Sequence, residues 1–463
     1  MNPPFRRSAS LLDPALERRS QRPGVHPLPL VSGLGISLRN CDTTRLCPPT
    51  VHRRARQGAT SRIPPLRRLK LDRGGVPVAY RLRRDARLLE SLLVSAMTLR
   101  LAIVGVGDVA ERDYLPEIGR LADRVELVVA CSRTANRARA VAERFLIPRW
   151  TTSYHEAVNA DDVDAVLNLT PFSLHVDVTL AALEAGKHVY SEKPLALTSS
   201  EARLIADHAR RRGCVVVAAP CVLLFPQVRR ATTIVQSGEL GRLFTARGHG
   251  QGGVPPWDGY HSDPSPYFAR NGGPLLDMAV YPLHALTGIL GPVREVCALS
   301  ARTRSSFDVV EGPFAGTTIP VEAADAWHLV LRLAEGALAS VEANNCAADA
   351  LAPELELRGE RGILGISLLD VSEPVRLRVD GEDRSETVPH DRAAGPDHLL
   401  GVEHLADCVE QGAEPVVSVE HATHVIEILE AAALSATEGR SVSVDSDCGR
   451  AAVSIEGGTD HRD

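Results

Sequence analysis

The stretch "YSEKPLALTSSEA", residues 190–202, sets one lysine, Lys193, between Glu192 and Pro194 in a small-residue loop after an apolar run. Lysine is scarce in this arginine-rich chain. Reduction of a carbonyl needs a hydride on carbon, a proton on oxygen and a cation where negative charge develops. Downstream, in "GGPLLDMAVYPLHALTGILG", Asp277, Tyr281 and His284 fall at i, i+4 and i+7. That spacing puts them on one face of a regular helix, in which Pro282 is tolerable only within the first turn. Tyr281 can then donate the proton if Lys193 lowers its pKa. Asp277 orients substrate hydroxyls or holds the lysine, and His284 touches substrate. The plainer alternatives are packing between domains for Tyr281 and His284, and a solvated turn for Lys193.

Two further stretches bear on ligands. "GVGDVA" (105–110) lies between a predicted strand, "LRLAIV", and a predicted helix, "ERDYLPEIGRLA". Gly105 permits the tight turn and Gly107 lets backbone approach a pyrophosphate. Ala110 lets the helix pack close to the sheet, and the helix N-terminus supplies N–H groups for phosphate. The second predicted strand ends in "CSRTANR". Ser132 stands where an acid for the ribose 2′-hydroxyl is expected, with Arg133 and Arg137 close by, so NADP(H) is favoured over NAD(H). The alternative is that Arg133 only stacks on adenine. The long loop "GGVPPWDGYHSDPSPYFARNGG" (252–273) precedes the Asp277 segment. It reads as a binding wall with Trp257, Tyr260 and His261 toward substrate, or else as an exposed connector.

These residues need a scaffold, and the order of elements gives one. From 97 to 220, apolar strands alternate with helices of ten to fifteen residues, which predicts a doubly wound parallel sheet covered on both faces. The helix near 200 is expected to be capped by Ser199 or Ser200. From 221 to 445 a helix and the long loop lead to strand-like runs separated by turns, then two closing helices. The second domain is therefore α+β, with an open, mainly antiparallel sheet. Residues 446–463 form a tail.

The chain has 463 residues and is 44% hydrophobic and 24% charged, as a soluble globular protein should be. Aromatic residues are 4%, too few for an aromatic nucleic-acid platform. No apolar run is long enough to span a membrane. The cysteines form no zinc-ligand pattern, so no metal is expected and a reduced, cytoplasmic protein is the simplest reading. Charge is uneven: residues 1–96 carry +13 and the remainder −19. Asp13 and Glu17 interrupt any export h-region after Arg6-Arg7. A presequence or a nucleic-acid-binding arm are alternatives, but the favoured reading is a disordered upstream segment, with the working chain starting at Met97.

The ordered set "GVGDVA", "TPFSLH", "AALEAGKHVYSEKPLA" and "GGPLLDMAVYPLHALTGILG" resembles the Gfo/Idh/MocA (glucose–fructose oxidoreductase/inositol dehydrogenase) family over about residues 97–445. The resemblance implies a Rossmann domain plus a C-terminal domain whose sheet mediates homo-oligomers. It implies hydride transfer between nicotinamide and a hydroxyl- or carbonyl-bearing carbon of a sugar, polyol or nucleotide-sugar. Lys193 would contact the reacting oxygen, with Glu192, Thr170, Pro171 and His175 in the loops beside the cofactor. The family's usual Asp-x-x-x-His becomes Asp277…Tyr281 here, which alters the proton donor; tyrosine also occurs there in some members. Other family members suggest a glycosidase using transient oxidation, and a non-catalytic nicotinamide-binding sensor is a third class.

Overall fold

The computed structural model describes residues 98–448, apart from 258, 348, 349 and 393. The expectations for the leader, residues 1–96, and for the tail beyond 448 lie outside the described residues.

Strands that are apolar on both faces need cover on both faces. The first sheet comprises β1 (Leu99–Val104), β2 (Val125–Cys131), β3 (Arg149–Thr151), β4 (Ala165–Asn168), β5 (His188–Ser191) and β6 (Val216–Ala218). Its order is β3-β2-β1-β4-β5-β6, and every pair is parallel. α1 (Ala135–Arg144), α2 (Tyr154–Val158), α3 (His175–Glu184) and α4 (Ser199–Arg212) supply helical cover. The N-cap of α4 is Thr198, in a capping box with Glu201, and not a serine. Strand order reverses between β1 and β4, so a crevice opens at their carboxyl ends.

The first crossover departs from the expected regular helix. Residues Ala110–Tyr114 make a π turn, with the Leu115 N–H on the Ala110 carbonyl, and Leu115–Leu121 continue as a 3₁₀ helix. Pro116 lacks the N–H that an α-helix would direct at residue 112, and its ring crowds that carbonyl. The chain avoids the conflict by widening the turn before the proline and tightening it after.

The second half begins with α5 (Pro226–Gln236) and β7 (Leu243–Gln251), then α6 (Ser265–Phe268), α7 (Pro274–Asp277) and α8 (Val280–Leu290). β8 (Val293–Ala301) follows, and a small ribbon of β9 (Ser306–Asp308) and β10 (Thr318–Pro320). Next come β11 (Ala326–Leu333), β12 (Leu338–Asn344), β13 (Leu355–Gly359), β14 (Gly362–Ile366), β15 (Val375–Val379) and β16 (Glu382–Glu386). α9 (Leu399–Gln411), α10 (Val419–Glu438) and β17 (Val442–Ser443) close the chain. The nine-stranded sheet runs β16-β15-β14-β13-β7-β12-β11-β8-β17. Only β7 and β12 pair in parallel; the rest are antiparallel.

One face of this sheet is covered: α8 lies on β7, α10 on β8, and α5 on β14 and β15. Burial alternates along β11 and β12, so their other face is bare. The last helices return to the first sheet. Val417 accepts from the Ala218 N–H, and Val419, Ala422 and Ile426 join the core beneath β6.

Candidate active site

The glycine loop comes first, because its geometry leaves no choice of residue. Gly105 has φ +96°, and a Cβ there would lie 2.5 Å from the Leu169 carbonyl. The loops after β1 and β4 thus touch backbone to backbone at the switch point. At Gly107 a Cβ would meet nothing within 4 Å, so the loop faces open space over the helical segment that begins at Asp108. Ala110 is fully buried. Close backbone, open space and a helix start are what a pyrophosphate needs, so these residues fit a dinucleotide. Gly107→Ala is therefore expected to melt with the wild type yet bind dinucleotide about tenfold or more weakly, because its methyl fills ligand space. Calorimetric titration with NAD⁺ and NADP⁺ checks this. Unchanged affinity for both would contradict the assignment.

At the end of β2 the two arginines part. Arg137 is committed to the glycine loop: Nε donates to the Val106 carbonyl at 2.7 Å, and Nη2 reaches Asp108 at 3.2 Å and Glu111 at 3.1 Å. Arg133 is exposed and makes no ion pair or hydrogen bond among the described residues. Ser132 is half-buried, and its hydroxyl accepts from the Thr134 N–H at 3.4 Å.

Of the four residues expected at the cofactor here, Thr170, His175 and Glu192 also brace the loops after β4 and β5. His175 is 1% exposed, with ring nitrogens 2.7 Å from the carbonyls of both Thr170 and Pro194. It ties the loop after β4 to the loop after β5. Burial lowers its pKa, against the pull of those two carbonyls. The Thr170 hydroxyl is held by Asn168 at 2.7 Å, and Pro171 starts the short turn before α3. Glu192 is buried and holds the Lys193 N–H at 2.9 Å.

Lys193 is where the two halves meet. Its Nζ donates to Asp277 Oδ1 at 2.5 Å and to the Asp277 carbonyl at 2.9 Å, and lies 5.1 Å from the Tyr281 ring centroid. Asp277 ends α7 and Tyr281 lies in the first turn of α8, with a break at Met278–Ala279. The break keeps Pro282 in the first turn of α8. A Cβ on Gly250 of β7 would lie 2.2 Å from the Met278 carbonyl, so the strand's glycine lets this break sit on the sheet.

The broken helix corrects the single-face expectation. Asp277 and Tyr281 converge on Lys193, but His284 does not. It is 3% exposed and packs against His421 of α10, with ring centroids 4.9 Å apart. It is core, not a substrate contact.

Burial disfavours charge on Lys193, but the carboxylates of Asp277 and Glu192 outweigh it and hold the ammonium well above its usual pKa. For Tyr281 burial dominates and raises the phenol; Lys193 opposes it, while Glu192 and Asp277 reinforce it. Lys193 thus pulls the phenol down as expected, but burial outweighs it, the net shift is upward and the phenol keeps its proton. Asp277 Oδ2 is buried with no partner. An orphaned acceptor of this kind is costly unless a ligand hydroxyl meets it.

The 252–273 loop forms the wall opposite. Trp257, Tyr260 and Tyr267 meet edge to face, with centroids 4.9–6.3 Å apart. The Arg112 guanidinium lies 4.6 Å over the Tyr260 ring and is forked onto Asp113. Trp257 Nε1 is a second buried atom without a partner. His261 is exposed, but its N–H and that of Ser262 donate to Asp108 Oδ2 at 3.0 and 2.7 Å. Burial opposes it, but the Ser262 hydroxyl, the Ser262 and His261 amides and Arg137 hold the Asp108 carboxyl below its usual pKa. Behind the loop, Phe268 stacks on Phe307 at 4.9 Å in a small core with Val309, Ile319 and Val321. Sequence reasoning missed Asp108, Arg112, Tyr114 and Tyr267. Only Tyr267 carried a signal, as an aromatic in the suspect loop.

Comparison with known proteins agrees with this geometry. The family model "Oxidoreductase family, NAD-binding Rossmann fold" matches residues 99–219, and "GFO/IDH/MocA C-terminal domain" matches 228–365. Together they span more than half of the chain. A dTDP-3,4-didehydro-2,6-dideoxy-alpha-D-glucose 3-reductase of Actinomadura kijaniata is 32% identical over 47% of this chain and 64% of its own. A D-glucoside 3-dehydrogenase of Escherichia coli is 33% identical over 42% and 56%. The chain thus spans less than two thirds of the length of either. A scyllo-inositol 2-dehydrogenase (NAD(+)) of Bacillus subtilis is 24% identical over 69% and 89%. In fold, the aldose-aldose oxidoreductase of Caulobacter crescentus superposes with a TM-score of 0.63 at 23% identity, covering 75% of this chain and 99% of its own. Two matched domains in sequence order, the same architecture, and a lysine facing an aspartate and a tyrosine across a dinucleotide-type crevice place the chain in the Gfo/Idh/MocA family of oxidoreductases.

Proposed function

We propose that the chain is an NAD(P)-dependent oxidoreductase that moves a hydride between nicotinamide and a hydroxyl- or carbonyl-bearing carbon of a sugar, polyol or nucleotide-sugar. The carrying observation is the Lys193 ammonium on Asp277 with the protonated Tyr281 beside it. When bound, nicotinamide would supply or take up the hydride. Lys193 meets the reacting oxygen and stabilises its developing negative charge. In the reductive direction Tyr281 donates its proton to that oxygen. Asp277 accepts a neighbouring hydroxyl at Oδ2, and Trp257 Nε1 donates to a ring or hydroxyl oxygen. The aromatic wall excludes water and faces the ring.

The test is turnover followed by the absorbance of reduced nicotinamide. The panel holds inositols, glucosides and keto-nucleotide-sugars, the classes named for the relatives. No turnover across the panel counts against the reading.

For the cofactor, the unengaged Arg133 supports NADP(H). Arg133→Ala is expected to raise the NADP⁺ KM about tenfold or more while leaving NAD⁺ within about twofold, the worth of a charge-assisted contact to one phosphate. Arg137→Ala should affect both alike, since it braces the loop. Equal effects of Arg133→Ala on both cofactors would contradict the preference.

The bare face of the large sheet supports self-association. Leu299, Val330 and Leu338 are 73%, 53% and 44% exposed on the adjacent strands β8, β11 and β12. Cys131, Cys214, Cys221, Cys297, Cys346 and Cys408 are free thiols, which supports a reducing, cytoplasmic setting. No helix of the described residues is long and apolar enough to cross a membrane.

A further inference from the structure

The π turn buries Tyr114 completely. Turns of this kind are rare and cluster at functional sites. The Tyr114 hydroxyl donates to Glu192 Oε1 at 2.6 Å and lies 3.1 Å from the Tyr190 hydroxyl. A phenol has one proton and a carboxylate can only accept. Tyr114 therefore gives its proton to the Glu192 bond, and Tyr190 donates to the Tyr114 oxygen. The other Glu192 oxygen accepts the Lys193 N–H at 2.9 Å. The carboxylate is thus clamped between a phenol of the first crossover and the backbone of the residue whose ammonium meets Asp277.

We infer that Tyr114 is a positioning residue for Lys193, acting through Glu192: the phenol fixes the carboxylate, and the carboxylate fixes the lysine's backbone and places a negative charge beside its ammonium. This rests on the catalytic reading of Lys193 given above. The groups that face Glu192 are Tyr114, Tyr190, Lys193, Tyr281, His175 and the Cys221 thiol. His398 packs on the Tyr114 ring at 5.6 Å. Burial keeps the three phenols and the thiol protonated and disfavours charge on His175. Lys193 is the group of that set whose charge its surroundings favour, and the Glu192 carboxylate contributes to that. Losing the Tyr114 hydroxyl leaves the ring in place between Tyr190 and His398 but takes one of two donors from a buried carboxylate.

The experiment has two arms, both on the full chain. In the first, without substrate, hydrogen exchange is read on the peptide carrying the Lys193 amide. Tyr114→Phe is expected to raise its exchange about tenfold, the worth of a loosened charge-assisted hydrogen bond. Unchanged exchange overturns the inference. The second arm is a double-mutant cycle with NAD⁺ or NADP⁺ and scyllo-inositol or methyl glucoside. Tyr114→Phe should lower kcat about tenfold with KM within about twofold, and Glu192→Gln should lower it further. The double variant should match Glu192→Gln alone, because Tyr114 has no other route to the site. Multiplying effects would mean that Tyr114 acts by packing, and the inference falls. If Tyr114→Phe melts early, Glu192→Gln alone must show the faster exchange at Lys193, and its absence is equally decisive against the idea. Lys193→Met turning over at the wild-type rate would instead remove the catalytic reading and leave the exchange result standing.

Discussion

Lys193→Met is expected to lower kcat about 10²–10³-fold, the usual loss when one preorganised donor to a developing oxyanion is removed. The size follows from the surroundings. The ammonium is 15% exposed and the paired carboxylate 17%, so water cannot take over its part. Methionine keeps the length of the stem and removes only the charge and its donors. Lys193→Arg should rescue little, because a planar fork does not reproduce a compact ammonium held by one carboxylate oxygen and one carbonyl. Tyr281→Phe should cost about 10²-fold in the reductive direction, where a proton must be supplied. Substrate KM should move less than kcat in both variants. Steady-state rates with the substrate that turns over check this, and a Lys193→Met rate within about threefold of wild type would be incompatible with an oxyanion role.

The second large effect is on stability and concerns residues remote from the chemistry. His284 of α8 faces His421 of α10, and His424 lies one turn further on. His421 Nε2 is 2.7 Å from the Thr287 hydroxyl. His424 Nε2 accepts the Val293 N–H at 3.0 Å and is therefore unprotonated there, with Ser446 at 2.8 Å from Nδ1. His284 Nδ1 is buried with no partner. Burial, then mutual repulsion, lowers His284 well below its ordinary value and His421 to about 3. Burial lowers His424 to about 4, with Glu427 and Asp447 opposing and Arg294 assisting.

A folded pKa below the unfolded one means that the unfolded chain takes up protons first. The stability these histidines confer is complete above about pH 6.5, their unfolded value. It is lost as pH falls toward their folded values. At about pH 5 each group costs about 2 kcal/mol, against a total stability of 5–15 kcal/mol typical of domains. The melting temperature should therefore fall steeply between about pH 7 and pH 5, before carboxylates begin to titrate. His421→Gln should flatten that slope. A melting temperature level across the window, or a slope unaltered by His421→Gln, would contradict the cluster's role.

What the sequence made legible follows the range of the interactions. Strand–turn–helix order, glycine placement and the Lys193 loop are local patterns, and the parallel first sheet follows from them. The antiparallel runs from β8 to β15 were readable because turns, not helices, separate them. The π turn was hidden by its own periodicity, since the apolar spacing around Tyr114 suits an α-helix and the deciding residue is Pro116, just beyond it. His284 looked like a site residue because Asp277, Tyr281 and His284 share a helical period. The backbone breaks that period at Met278–Ala279. Tyr114 with Glu192, and Asp108 with the 261–262 amides, are contacts between residues far apart in the chain. No local pattern encodes a partner at that distance. Arg137 carried the right charge for a phosphate, yet it spends that charge on Asp108 and Glu111.

Asp108 has a consequence for how two ligands know of each other. A single carboxylate sits at the start of the helical segment after the glycine loop and holds two amides of the aromatic wall. Whatever settles the glycine loop settles the wall, and whatever draws the wall inward steadies the loop. Such coupling is reciprocal: under the proposed function, the factor by which dinucleotide tightens sugar binding equals the factor by which sugar tightens dinucleotide binding. Asp108→Asn keeps the shape and discards the charge, so it should bring that common factor toward one without altering either binding surface.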